Sequence, residues 1–295
     1  MSRARIVCAA IVLGIASSPL LLSDARAAES APQLPKLTAA QIVEKHSAAR
    51  GGAQAWKAVQ SMQLNGQLDA GRGDSLARSM NIANAGKKAS GKGTNAEIAA
   101  ASQSQEPAKE IQLPFTLVLK RPNLMRMEVQ FNGKTAVQVY DGQHGWKLRP
   151  FLNRSDAEPF TADEMKTESE RGDLDGPLMD YAAKGTQVEL EGTDMVEGQA
   201  AYRLKVTPRK GVLKHVWIDG KSFLDVKVEG SARRMDGKMH PVYVYQRDFR
   251  SVQGVMIPFV LDTAVEGYTE THKLQIEKAT INPKLGDALF SKPHA

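Results

Sequence analysis

The chain has one cysteine in 295 residues, few aromatic rings, and no long apolar run beyond its first two dozen positions. Each shortage excludes something. The cysteine, Cys8, lies so early that the chain beyond it has no disulfide, thiolate metal site or cysteine nucleophile. That portion must be held together by burial. No basic block interleaved with aromatics occurs, which argues against nucleic acid as a partner. There is no G-x-S-x-G elbow and no H-E-x-x-H pair. The six histidines, His46, His144, His215, His240, His272 and His294, stand singly, none with a second ligand at metal-site spacing. The reading is of a protein that is not an enzyme and uses no metal or other cofactor.

What is present begins with an address. Arg3 and Arg5 precede a mostly apolar stretch from Ile6 to Leu22, and Ala25-Arg26-Ala27 has the small-x-small form of a signal-peptidase site. Residues 1–27 read as a cleavable signal peptide, with a mature start at Ala28. Because Cys8 lies inside the apolar stretch, no lipid-bearing cysteine follows it, and a periplasmic, non-lipidated protein is expected. The formal charge of +6 includes three arginines and one aspartate of this leader, so the remainder is mildly basic. A weak attraction to anionic head groups is compatible with that.

Residues 28–37 are rich in Pro and Ala and read as a flexible lead. Thr38-Ala-Ala-Gln41 then has the capping-box pattern, and Gly51-Gly52 stops the helix that follows. From Ser61 the apolar period becomes two, as in a half-buried strand. Residues 71–108 lose all pattern in Gly, Ser, Ala, Asn and Lys and read as a disordered insertion within one domain spanning 38–295.

Alternation resumes at Ile111, Leu113, Phe115, Leu117 and Leu119, with Pro114 suggesting an edge or bulge. Turns follow at Arg121-Pro122-Asn123, Asn132-Gly133 and Asp141-Gly142. A second helical region is expected between Thr161 and Gly185, starting at another capping box, Thr161 to Glu164. Further hairpins turn at Glu197-Gly198, Asp219-Gly220 and Gln253-Gly254, and Asp287 to Phe290 reads as a closing turn. Roughly ten antiparallel strands with few helices give a mostly β, α+β chain. A meander that long is expected to curl into an open half-barrel, with helices against its concave side.

Several motifs invite chemistry and fail on context. Gly86 to Thr94 approaches a phosphate-binding loop, but no strand precedes it and Gly93 stands where Ser or Thr is needed. Arg72-Gly73-Asp74 and Arg171-Gly172-Asp173 are adhesion tripeptides of a length that chance supplies. Asp173 and Asp175 lack the further oxygens of a calcium loop. Glu189 and Glu191 alternate on one strand and face solvent. The ten methionines after Met1 are more distinctive, since soft side chains suit a cavity for varied apolar ligands as well as ordinary core filling.

Leu119-Lys120-Arg121-Pro122-Asn123-Leu124, then Tyr140-Asp141-Gly142, Trp146 and Pro150-Phe151, resemble the pattern of the LolA/LolB-like outer-membrane lipoprotein-sorting superfamily. The Ile42-to-Gly66 segment and Gly286 to Phe290 are similar to its beginning and end. The resemblance implies a β half-barrel with a helical lid over a hydrophobic cavity for lipid or lipoprotein acyl chains. It also implies a carrier or binding role, with an envelope-stress sensor or protein-interaction module as the alternative. Arg121 and Arg126 are the nearest candidates for the carriers' cavity arginine.

If the more apolar strand faces point inward, the cavity lining is Leu64, Leu117, Leu119, Met125, Met127, Val129, Val137, Val139, Trp146, Val216, Val226 and Val228. Leu178 and Tyr181 would form the lid. Expected partners are acyl chains and, in the alternative, an inner- or outer-membrane envelope protein. A monomer is expected.

Overall fold

The computed structural model describes residues 34–69, 111–152, 154–209, 211–269 and 271–294. The leader at 1–27 and the insertion at 71–108 lie outside them. Of the lead, Leu34 and Leu37 pack against the core, and the Tyr202 hydroxyl donates to the Pro35 carbonyl at 2.8 Å.

Thr38 caps helix α1 (Ala39–Ala49) through the expected box with Gln41. Helix α2 (Ala53–Ala58) follows at once. The first group of strands is β1 (Ser61–Asp69), β2 (Gln112–Lys120), β3 (Leu124–Phe131), β4 (Lys134–Tyr140), β5 (Gly145–Leu148) and β6 (Glu158–Pro159). Helix α3 (Ala162–Arg171) starts at the Thr161–Glu164 box. Residues 172–185, expected to continue as helix from Pro177, instead form successive turns, with Gly176, Asp180 and Gly185 at positive φ. The second group is β7 (Gln187–Val196), β8 (Gln199–Thr207), β9 (Lys214–Asp219), β10 (Asp225–Met235), β11 (Lys238–Val252), β12 (Val255–Val265) and β13 (Thr271–Ile281). A 3-10 turn at Asp287–Phe290 matches the expected closing turn.

All thirteen strands belong to one antiparallel sheet in the order β6-β5-β4-β3-β2-β1-β13-β12-β11-β10-β9-β8-β7. Each group is a meander, and β1 with β13 joins them. The sheet is open, since β6 and β7 each have one neighbour. Asn132 (φ 49°) and Gly133 (φ 71°) make the expected tight turn between β3 and β4. Pro114 lies on an interior strand, but β2 pairs with β3 only from Phe115 onward, so its missing donor breaks no bond there.

The two faces carry separate cores. On the front face Trp56 of α2 sits among Met62, Leu64, Leu117, Met125, Val255 and Ile257, and Ile42 and Val43 of α1 lie on Leu204, Val206, Val216 and Ile218. On the back face Val118, Val137, Val139 and Leu148 are closed over by Phe290, and Trp217 packs with Val196 and Ala201.

Arg50, at the end of α1, joins the helices to the sheet. Its guanidinium donates to both oxygens of Asp225 at 3.1 and 3.2 Å and to the Met256 carbonyl at 3.0 Å. Its own carbonyl accepts from Trp56 Nε1 at 2.8 Å and from the Met256 amide at 3.0 Å. Gly51 has to be glycine, because φ is 103° and a Cβ would stand 2.1 Å from the Gly254 oxygen. Arg50→Ala should cost about 3–5 kcal/mol in urea unfolding, the usual penalty for stranding a buried partner, here Asp225. A loss within experimental error would mean that this joint is dispensable.

His46, 2% exposed, lies beside this pair with Nδ1 3.0 Å from the Phe223 carbonyl. Burial pushes its pKa below 6.5, Asp225 and the Phe223 carbonyl oppose this, and Arg50 reinforces it. A depressed histidine pKa stabilises the fold above the unfolded value and ceases to do so as pH falls. Stability should therefore decline below about pH 6.5, the unfolded histidine value. In His46→Asn that part of the urea-midpoint profile should be flatter.

Candidate functional site

The front face is the candidate site, and its geometry follows from cross-strand register. Leu113 on β2 stands opposite Leu68 on β1, Leu68 opposite Leu274 on β13, and Leu274 opposite Leu261 on β12. Opposed residues share a face, so these four leucines form one lateral row. Leu113 is buried, while Leu68, Leu261 and Leu274 are only half-buried. A second row runs from Val216 through Val228 and Val244 to Thr263, and Val228 and Val244 are again half-buried.

Of the residues expected to line a cavity, Leu64, Leu117, Leu119, Met125, Met127 and Val129 lie together around Trp56. Val216 and Val228 belong to the neighbouring front-face cluster. Val137, Val139 and Trp146 do not join them. Val139 pairs with Arg126 and Trp146, and Val137 with Glu128 and Leu148, which puts all three on the back face under Phe290. The error was to assign the more apolar side of β4 to the front, when the C-terminal turn buries that side on the back. Val226 also faces the back, packed near Trp217, Tyr243 and Tyr245, because the β9–β10 register shifts between Asp225 and Lys227.

Leu178 and Tyr181 pack against the α1 cluster, and an open pocket of about 530 Å³ lies among Val43, Ser47, Leu178 and Tyr181. A second open pocket of about 590 Å³ borders the first leucine row at Ile111, Leu113 and Phe131. Among the described residues no cluster of three or more His, Cys, Asp or Glu is placed to hold a metal.

The polar groups of this face gather at α3. Lys147 on β5, with a side chain only 5% exposed, binds both oxygens of Glu164 at 2.5 and 2.6 Å. Burial raises the Glu164 pKa, but Lys147 and the Thr161 amide outweigh it and hold the group below its ordinary value. Asn123 donates to the Ser169 carbonyl, and Lys214 at the start of β9 reaches Glu170 at 3.1 Å. Met165 packs on the Trp56 cluster. One ten-residue helix thus touches β5 on one side and β9 on the other, a bridging role that its polar sequence did not signal. Of the two candidate arginines, Arg121 caps α2 through the Trp56 and Val59 carbonyls and binds Asp175. Arg126 is on the back face with Glu128 and the Leu289 carbonyl.

This architecture is that of known proteins. The chain superposes on a LolA-superfamily protein of Nitrosomonas europaea with a TM-score of 0.52 and 14% identity, over 87% of this chain and 99% of the other. It superposes on a DUF1329-family protein of Desulfovibrio piger with a TM-score of 0.51 and 13% identity, over 87% and 98%. No protein-family model matches the chain, and no curated protein does. The chain therefore has the LolA-type fold, as the KRPN, DG and PF signals implied. At this identity the likeness concerns the fold alone.

Lys147→Ala should release one side of α3 and make the 154–185 region several-fold more sensitive to limited proteolysis, with little change in the global melting temperature. Unchanged cleavage would mean that α3 is held without its ion pairs.

Proposed function

We propose that the chain is a periplasmic binding or carrier protein for lipid or lipoprotein acyl chains, held against the front face. The leucine row carries this reading. Three of its four side chains keep accessible surface, as do Val228 and Val244 of the second row, although the apolar positions around Trp56 on the same face are buried. Each acyl CH₂ laid on such a surface contributes about 0.8 kcal/mol, so a long chain needs no catalytic or charged anchor.

A half-barrel form for the sheet is supported by α3. Between β5 and β9 lie nine strand-to-strand steps. Laid flat these would cover about 43 Å. A helix of ten residues is only about 15 Å long, yet its side chains meet both strands. A bend that brings the two arms together makes the front face concave and makes α3 a strap across it, beside the lid segment at Leu178 and Tyr181. The leader-like residues 1–27 support a periplasmic site of action. Among the described residues no helix is long and apolar enough to cross a membrane.

A sensor or interaction module on the same fold is the second reading. It is favoured by the edge strand β7, which exposes Leu190 and Met195 beside unpaired backbone groups.

Native mass spectrometry of the protein purified from periplasm without detergent should retain an acylated molecule, identifiable after extraction. Leu261→Asp should abolish retention with the fold intact, whereas Val139→Ala, on the back face, should lower stability by about 2 kcal/mol and keep it. An apo mass that takes up no added lipid would overturn the carrier reading and leave the interaction module.

A further inference from the structure

We propose that the front face includes a subsite for an anionic head group, a carboxylate or a phosphate, formed by Arg233 on β10 with Arg171 at the end of α3. This rests on the amphiphile reading above and specifies the ligand's charge.

The argument starts from pairing. Five charged side chains meet where α3 approaches β9 and β10. Glu170 is taken by Lys214 at 3.1 Å and Glu168 by Arg171 at 2.8 Å. Arg233 is left over, with no hydrogen bond or ion pair among the described residues. It is half-buried, and burial, then the repulsion of Arg171, push its pKa below the ordinary value against the attraction of Glu168. A guanidinium stays charged under such conditions, so the corner carries one uncompensated positive charge.

Its surroundings are also incomplete. Across the ladder Arg233 stands opposite His240, which shares a face with Val244, four residues further along β11. The His240 ring places Nδ1 3.2 Å from the Glu266 carbonyl, while its Nε2 is buried without a partner. The Ser231 hydroxyl, in the same hairpin, is likewise buried and unpartnered. Buried polar atoms normally find partners, so the unpaired His240 Nε2 and Ser231 hydroxyl on the hairpin that carries this spare guanidinium point to a polar ligand group, while the equally unpaired Glu170 Oε1 bounds the site on the helix side. Arg171, paired with Glu168, lies within electrostatic reach of Arg233, and two guanidiniums on one corner suit a ligand with two or more anionic oxygens, the kind of partner arginine binds most strongly.

The location fits an amphiphile. Arg233 is five residues beyond Val228 of the second apolar row, about 16 Å along an extended strand. A chain lying on that row and running along β10 brings its head to Arg233.

The test uses calorimetry on the whole protein with oleic acid, 1-oleoyl-lysophosphatidic acid and oleyl alcohol, which share a hydrocarbon chain and differ at the head. The two anions should bind about tenfold or more tighter than the alcohol, as charge-assisted hydrogen bonds predict. The tighter of the two identifies the head group as carboxylate or phosphate. Arg233→Gln should bring both down to the affinity of the alcohol and leave the alcohol unchanged. Should Arg233→Gln unfold, Arg171→Gln on the partly exposed helix end serves instead, with a several-fold loss for the anions alone. Equal affinity for all three ligands in the wild type, or a preference for anions that survives both substitutions, overturns the subsite and leaves the acyl-chain reading standing. Binding of none of the three overturns that reading and the subsite with it.

Discussion

The architecture depends on the contact between Arg50 and Asp225. A guanidinium and a carboxylate withdrawn from water are costly unless they are paired and hydrogen-bonded, and here Arg50 Nε and Nη1 and both Asp225 oxygens are engaged. Arg50 spends its donors on Asp225 and Met256, Asp225 accepts in addition from Gln246, and Trp56 lies under the guanidinium 4.6 Å from its centre. These residues come from α1, α2, β10, β11 and β12. The polar joint therefore fixes where both helices stand on a sheet that would otherwise accept an apolar helix in many positions. Specificity of placement is what a satisfied buried ion pair can contribute where hydrophobic contact is indifferent to register.

Once the helices are fixed, the front face divides. Around Trp56 and beneath α1 the apolar side chains are consumed by packing. Beyond them run the leucine and valine rows, and α3 is held across the face by ion pairs to β5 and β9 and a methionine contact. Such a helix, held mostly by charges at its ends, can move off without dismantling a core. The tightly packed portion and the loosely covered portion of one face thus differ in the kind of force that closes them.

Much of this was legible in the amino-acid order. Both capping boxes, the Asn132-Gly133 turn and the alternation from Ile111 to Phe131 mark elements that formed as local chemistry directs. The front-face positions on β1, β2 and β3 followed from period two. What failed were assignments that need knowledge of a distant segment. Val137, Val139 and Trp146 are apolar because Phe290 folds over them, and nothing near β4 announces that partner. Val226 was misplaced by a register shift that no residue type signals. The 172–185 segment has the composition of a helix, but the Arg121–Asp175–Lys184 network holds it as turns. Arg50 itself was invisible, since an arginine before two glycines reads as an ordinary helix end until Asp225 is seen beside it.

The seam between β1 and β13 has a further consequence. Met62 faces Ile281, so the first strand of the described chain is completed by the last, and the two meanders share no other strand pairing. Each half can zip up from its own hairpins, but until β13 arrives both expose a raw edge, and β1 offers Leu64 and Leu68 beside it. Pairings so distant along the chain are slow to form because loop-closure entropy must be overcome first. During folding the molecule is therefore expected to pass through a two-piece stage with open, sticky margins. The eleven residues of β13 act as the fastener that ends this exposure to aggregation and to protease.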